Sequence, residues 1–168
     1  MVRFGLIVTT ALVLAACGTS HSVKSVGASR WDGDYRFKWT SSSSPAVRRG
    51  FVAPEKVQIR PLTSSDGVPG AKAHSNGPQW AISFVGEAGK PLPLTPFTAN
   101  DYRDMGWTDM RAAGQMDCLE SGAFMFICRT LPGATVHFGR RSDEQLTTKT
   151  GLFGVALHQG GFELTPLD

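Results

Sequence analysis

The chain has 168 residues, with 17 basic and 14 acidic side chains and therefore a formal net charge of +3. This charge is too close to balance to predict a nucleic acid or another strongly anionic partner. The 19 glycines and 10 prolines predict short strands joined by turns.

Residues 1–16 have the three parts of a secretory signal peptide. Arg3 supplies the charged start, residues 4–14 form an apolar run, and Ala15 and Ala16 are the small residues that precede cleavage. The run is too short for a transmembrane helix, which needs about 20 apolar residues. We therefore predict secretion, with cleavage after Ala16.

The predicted cleavage point lies directly before a cysteine. Leu14-Ala15-Ala16-Cys17 resembles the lipobox of bacterial lipoproteins, and the resemblance covers residues 1–17 alone. It implies that Cys17 carries acyl chains such as palmitate, and two or more chains anchor a protein stably to a bilayer. In such lipoproteins an aspartate after the cysteine favours the inner membrane, so Gly18 indicates the periplasmic face of the outer membrane. The alternative is an ordinary signal peptide that leaves Cys17 as a free thiol.

Residues 18–30 are small and polar, which predicts a flexible tether between the lipid and one globular domain over residues 31–168. Without Arg3, the 17 basic side chains fall to 16 against 14 acidic ones. The secreted protein therefore stays close to neutral.

Two cysteines remain once Cys17 is assigned to lipid. Cys118 and Cys128 are predicted to form a disulfide, because compartments outside the cytoplasm are oxidising. A tight turn at Ser121-Gly122 sets Cys118 opposite Met125 rather than Cys128. We therefore expect Cys118 at the end of a helix, pinned to a central strand.

Alternating polar and aromatic residues predict a half-buried strand over residues 34–39. Its aromatic face consists of Tyr35, Phe37 and Trp39. Two interpretations remain open: a face of the core, or a platform on which sugar rings stack.

The other predicted strands follow from short apolar runs bounded by turn residues. They cover residues 56–62, 80–85, 123–130 and 135–139, and a hairpin joins 152–158 to 162–167 through Gln159-Gly160-Gly161. Residues 63–78 are predicted to form a long loop. We expect Pro91, Pro93 and Pro96 to exclude regular structure from the stretch that ends at Phe97.

Thr98 and Asp101 have the spacing of a capping box, which predicts a helix start. An apolar stripe follows at helical spacing; it consists of Tyr102, Met105, Ala112, Ala113 and Met116. Gly106 interrupts the stripe, so one kinked helix and two short ones fit equally well, with Thr108 capping the second. The chain is thus predicted to be α+β and mostly β, an antiparallel sheet in a small barrel or sandwich with one kinked helix and one disulfide.

The sequence contains no Gly-x-Ser-x-Gly, His-Glu-x-x-His or P-loop motif. His21 and His74 stand alone, whereas His137 and His158 lie on neighbouring predicted strands and are the one candidate pair for a surface metal site. We expect no metal and no cofactor. The basic pairs Arg48-Arg49 and Arg140-Arg141 either contact lipid phosphates or are solvated loop charges.

Acidic residues cluster on and beside the predicted helix; they are Asp101, Asp104, Asp109, Asp117 and Glu120. Two carboxylates held about 5 to 9 Å apart can hydrolyse glycosides. Asp109 falls within the apolar stripe of a continuous helix, so if it is buried it needs Arg103 or Arg111 as a partner. The other interpretation is a solvated, helix-capping cluster.

We expect a monomeric, non-catalytic lipoprotein that binds an envelope protein or glycan, or stabilises an envelope assembly. Its partners are the lipid bilayer, through acylated Cys17, and this envelope component, with no nucleic acid. Two alternatives remain: a peptidoglycan hydrolase that uses the carboxylate cluster, and a periplasmic inhibitor or immunity protein.

Overall fold

The computed structural model describes residues 31–41, 44–50, 54–62, 80–86, 90–122, 125–138 and 144–167. Several features of the sequence lie outside the described residues: the predicted signal peptide, Cys17, the predicted tether, the predicted loop at 63–78, His21, His74 and Arg140-Arg141. None of the helices in the described part of the chain is long and apolar enough to cross a bilayer.

Most of the described elements are strands, and the three helices are short. In chain order they are β1 (Gly33–Trp39), α1 (Pro45–Arg48), β2 (Lys56–Pro61), β3 (Trp80–Phe84), β4 (Leu92–Pro96), α2 (Ala99–Met105), α3 (Thr108–Ala112), β5 (Met116–Ser121), β6 (Met125–Thr130), β7 (Thr135–His137), β8 (Gln145–Thr147), β9 (Leu152–Ala156) and β10 (Gly160–Pro166).

Eight of these strands form a closed barrel in the order β1-β10-β9-β6-β5-β4-β3-β2. All pairings in the barrel are antiparallel. β7 and β8 pair with each other as a separate two-stranded sheet. The predicted fold class is confirmed, with the barrel as its architecture, and closure leaves no free strand edge in the main sheet.

β1 shows how the sequence pattern becomes a wall of the barrel. Tyr35 and Phe37 are 3% and 8% exposed, whereas Arg36 and Lys38 on the opposite face are exposed to solvent. Trp39, on the face of Tyr35 and Phe37, is half-buried. The core interpretation of this face is therefore confirmed for Tyr35 and Phe37, and the interpretation as a platform for sugar rings stays a prediction.

The molecule has two hydrophobic cores. The first fills the barrel; its buried members are Trp31, Tyr35, Phe37, Val57, Ile59, Ile82, Leu94, Leu119, Met125, Ile127, Leu152, Phe162 and Leu164. The second lies between the outer face of β5, β6 and β9 and a layer made of α2, α3, β7 and β8; its buried members are Tyr102, Trp107, Met116, Cys118, Cys128, Val136 and Phe153. β6 is therefore covered on both faces, as its continuous apolar run predicts.

The helical segment is two helices rather than one kinked helix. Thr98 and Asp101 form the predicted capping box, and Gly106 ends α2 with a positive φ of 78°. The N-cap of α3 is Trp107, without a side-chain cap, so the predicted cap at Thr108 is wrong. Because the helix ends at Gly106, the predicted stripe does not continue: Ala112 and Ala113 are exposed.

Met116 begins a strand instead of ending the helical stripe. The side chain that anchors the second helix is Trp107, which is buried and donates a hydrogen bond from its indole N–H to the His137 carbonyl at 2.7 Å. Its ring meets Phe126, Phe138 and Phe153 edge-on at 5.8 to 6.1 Å between centroids. One indole therefore joins the helical layer to the barrel wall.

The predicted Cys118–Cys128 disulfide is confirmed, but its predicted placement is wrong. Cys118 lies on β5, directly opposite Cys128 on β6. Ser121 still belongs to β5 and pairs with Met125, so residues 122–124 separate the strands instead of a two-residue turn. This longer connection shifts the register and brings the two cysteines together within one hairpin.

The proline-rich stretch is also a strand. β4 pairs with β3 over Leu92, Pro93 and Leu94, and with β5 only at Thr95 and Pro96. Pro93 pairs with β3 alone and Pro96 with β5 alone. The N–H group that each proline lacks is therefore not missing from a part of β4 that is paired on both sides. The expectation that these prolines exclude regular structure is therefore wrong.

Two turns differ from the predictions. α1 lies where a loop was expected; Pro45 opens it, and the Ser44 hydroxyl accepts a hydrogen bond from the Val47 N–H at 3.3 Å. The turn between β9 and β10 consists of residues 157–159, because Ala156 pairs with Gly160. His158 takes its left-handed position, with φ 59°.

Gly154 allows β9 and β10 to pack closely inside the barrel. It pairs with Phe162, and a Cβ at position 154 would lie 2.3 Å from Phe162 Cζ and 2.5 Å from the Phe126 carbonyl oxygen. The backbone oxygen cannot move without disturbing the β6–β9 ladder. Only glycine therefore fits beneath this ring.

We expect Gly154→Ala to lower the free energy of unfolding by about 3 kcal/mol, because overpacking displaces both the ring and the backbone. Gly161→Ala is the matched control, since its Cβ would lie 3.0 Å from the Thr40 hydroxyl and 3.8 Å from the Gly154 carbonyl oxygen, the latter an ordinary contact distance; we expect it to cost less than about 1 kcal/mol. Urea denaturation followed by circular dichroism measures both. Equal stability of the two variants would contradict the packing described for Phe162.

Candidate functional site

One end of the barrel is filled by side chains. The Arg129 guanidinium carbon lies 5.0 Å from the centroid of the Trp31 ring, and the Tyr35 hydroxyl donates a hydrogen bond to the Trp31 carbonyl at 2.7 Å. Trp31 and Tyr35 are buried. We call this the closed end.

The opposite end, called the open end, contains a cavity of about 100 Å³. β1 and β6 fix its position, since each runs from one end to the other: Trp39 and Met125 line the cavity, whereas Trp31 and Arg129 lie at the closed end. The lining is almost wholly apolar and consists of Phe37, Trp39, Pro54, Phe84, Met125, Ala156, Gln159 and Phe162. Among the described lining residues, Gln159 is the one with an amide side chain.

Three aromatic rings form one wall of the cavity. Phe37 stacks on Phe162 with centroids 4.7 Å apart and meets Trp39 edge-on at 4.9 Å. Phe37 and Trp39 share a face because they lie two residues apart on β1, and the register sets Phe162 opposite Trp39. This wall is held in place by the pairing of the first and last strands of the barrel.

α1 is fixed beside the cavity by the β9–β10 turn. The Ala46 N–H donates a hydrogen bond to the Gln159 carbonyl at 3.1 Å, and Ala46 is fully buried. Gly160 has a φ of 125°, and a Cβ there would lie 2.8 Å from the Ser44 Cβ. Glycine therefore permits the close approach that seats α1 against the turn.

The predicted acidic cluster does not form one site. The Asp101 carboxylate accepts hydrogen bonds from the N–H and the hydroxyl of Thr98, each at 2.6 Å. Asp104 is exposed beside Arg103, with 3.5 Å between the charged atoms. Asp109 is exposed in the first turn of α3, so the buried position considered for it is wrong, because the helix breaks before it.

Asp117 is tied to the helical layer instead. Its carboxylate pairs with Arg111 at 3.2 Å and lies 3.5 Å from the Tyr102 hydroxyl. That hydroxyl also accepts a hydrogen bond from the buried Cys118 N–H at 2.8 Å. Burial, and secondly the negative charge of Asp117, raise the pKa of Tyr102 to about 12. Tyr102 is thus a neutral anchor between α2 and β5.

Glu120 lies on β5 and is half-buried. Burial, and secondly the charge of Asp101, raise the pKa of Glu120 above its usual range. A raised pKa is one property of a general acid, but the nearby Asp101 carboxylate is already engaged by Thr98. Apart from the raised pKa of Glu120, nothing in the arrangement of Glu120 and Asp101 indicates a substrate site.

The two described histidines do not come together. His137 lies in β7, in the small sheet, whereas His158 lies in the β9–β10 turn at the open end. Within the described ranges, no group of three His, Cys, Asp or Glu side chains is arranged to hold a metal ion.

The sequence interpretation included two of the cavity residues, Phe37 and Trp39, and missed the other six. Phe84, Ala156 and Phe162 could have been found from the sequence, because each lies on a strand and its side chain points inward. Pro54 and Gln159 had none, because they lie in connections and reach the cavity only through the closure of the barrel.

Comparison of the chain with protein-family models, with curated proteins and with solved structures finds no significant match.

The raised pKa of Glu120 predicts a pH-dependent stability. The folded state binds the proton more tightly than the unfolded state, so this group's contribution falls as the pH rises from the ordinary glutamate range through the raised value. We expect Glu120→Gln to be more stable than the parent at pH 7, and the difference to vanish near pH 4. Thermal denaturation at both pH values measures this, with Glu55→Gln as a control for the substitution itself. A gain that is the same at both pH values would contradict the prediction.

Proposed function

We propose that the protein is a non-catalytic, lipid-anchored binding protein of the bacterial cell envelope, and that the open end of its barrel takes an apolar group. The observation that carries the proposal is the apolar cavity lined by the aromatic wall and Met125. Small-ligand sites are concave and mostly apolar, with a few polar groups that fix orientation. Gln159 is the polar group here.

The size of the cavity limits what it accepts. The cavity of about 100 Å³ opens to solvent at this end of the barrel. An apolar cavity of about 150 Å³ stays dry and binds one benzene ring. The site therefore suits one aromatic ring or a short aliphatic group.

The contacts of the acidic residues support a binding role over hydrolysis. Asp101 caps a helix, Asp104 and Asp117 pair with arginines, and Asp109 is solvated. These arrangements stabilise helices and their packing. An inhibitor or immunity protein is a binding protein too, and the same cavity serves it.

The anchoring half of the proposal is supported by the lipobox-like Leu14-Ala15-Ala16-Cys17. The fold is compatible with it, because β1 begins at Gly33 and its chain enters the barrel at the closed end. An anchor on this side leaves the open end free for a ligand.

We expect Ala156→Leu to abolish binding in the cavity, since Ala156 lines it and the added carbons fill it. The probe is fluorobenzene, followed by ¹⁹F line broadening with the full-length lipidated protein in phosphatidylcholine nanodiscs. Empty nanodiscs give the baseline. Ala112→Leu, at an exposed position on α3, is the matched control and should broaden the signal as the parent does. If the Ala156→Leu protein broadens the signal as much as the parent does, the proposed site is wrong.

We expect the mature N-terminal peptide from a bacterial host to begin at Cys17 and to carry the mass of a diacylglyceryl group plus an amide-linked acyl chain. Cys17→Ser should abolish both the acyl mass and the cleavage before this position. Mass spectrometry of the purified chain measures both. A mature chain with an unmodified Cys17 thiol would exclude the lipid anchor and leave the cavity proposal standing.

A further inference from the structure

We propose that the open end is a docking surface for an acidic segment of a partner protein, which inserts one large apolar side chain into the cavity. This rests on the proposed function and names the class of ligand. The cavity supplies the pocket for the anchor side chain, and the rim around it supplies the rest of the surface.

The rim exposes apolar side chains to solvent. Among the described residues, the large hydrophobic side chains that are exposed are Val47, Val85 and Leu157, at 38%, 52% and 52%. All three belong to the open end: Val85 follows the cavity residue Phe84, Leu157 follows Ala156, and Val47 lies on α1, which is bonded to the β9–β10 turn. Scattered exposed hydrophobics need no explanation, but a cluster around an apolar pocket is typical of a protein interface.

The charges of the rim favour an acidic partner. Arg48 and Arg49 are exposed at the end of α1, and Lys90 is exposed just before β4. None of the ion pairs between described residues uses them. Glu55, beside the cavity residue Pro54, is an exposed carboxylate at this end, and the half-buried Glu120 precedes Ser121, the partner of the cavity residue Met125. Complementary charges at a rim raise the rate and the specificity of association.

A protein segment fits this surface better than a membrane. The cavity holds one ring or a short aliphatic group, which matches a side chain and not a whole acyl chain. The chain also enters the barrel at the closed end, and Gly33 and Trp39, at the two ends of β1, are about 20 Å apart. The first strand therefore begins at the end of the barrel away from the docking surface.

The test uses the full-length lipidated protein in phosphatidylcholine nanodiscs and fluorescent acidic octapeptides with a central Phe, Trp or Leu. Matched peptides carry Ala at the centre, or Lys in place of the acids. We expect the best apolar-centred acidic peptide to bind at least tenfold more tightly than its Ala-centred match in fluorescence anisotropy. Ala156→Leu should remove that advantage, whereas the pair Arg48→Glu and Arg49→Glu should weaken all acidic peptides.

Arg103→Glu, at an exposed position on α2, is the control for the charge reversals and should bind as the parent does. Leu157→Ser tests the rim at a solvent-exposed position that folding does not need, and should weaken binding severalfold. Equal binding of apolar-centred and Ala-centred peptides would overturn the proposal, as would the absence of binding by any peptide. Sedimentation with phosphatidylglycerol vesicles that depends on Leu157, without peptide binding, would make a membrane the occupant instead.

The fluorobenzene signal separates the two levels of inference. If the probe still enters the cavity but no peptide discriminates, the partner class is wrong and the binding site stands. If neither binds, both proposals fall.

Discussion

The pairing of β1 with β10 closes the barrel, and both the core and the cavity depend on it. This ladder joins Tyr35 to Pro166 at one end and Trp39 to Phe162 at the other, so it links residues more than a hundred positions apart. Without it, the aromatic faces of the first and last strands would be two separate apolar surfaces. With it, they form the wall on which the open end is built.

Closure alone does not explain why the second core exists. β5, β6 and β9 turn apolar side chains outward as well as inward, and such a surface needs a cover. The cover is the layer of α2, α3, β7 and β8, held by Trp107 and by the Tyr102 hydroxyl bonded to the Cys118 N–H. The disulfide lies beneath this layer and joins neighbouring strands of one hairpin. The helical layer and the disulfide therefore stabilise the same section of barrel wall.

The sequence is informative wherever a pattern is local. The alternation in β1 and the capping box of Thr98 and Asp101 depend on residues two or three positions apart, and both occur as predicted. The predicted placement of Cys118 was wrong because the register of β5 against β6 depends on the length of the turn between them. One extra residue in that turn changes every cross-strand pair. The prediction of one continuous apolar stripe was wrong because Gly106 ends α2, and α3 begins as a separate helix. No local pattern predicts the cavity, because Pro54, Gln159 and Phe162 come together only when the barrel closes.

The two ends of the barrel differ in a way that side-chain volume explains. At the closed end Trp31 and Arg129 fill the space between the strands; at the open end Ala156 and Gly154 are the inward residues of β9. The resulting cavity of about 100 Å³ is lined by apolar side chains and opens to solvent. Under the proposed function, an apolar group that binds only the folded barrel removes this lining from water, so ligand binding and barrel stability are thermodynamically linked.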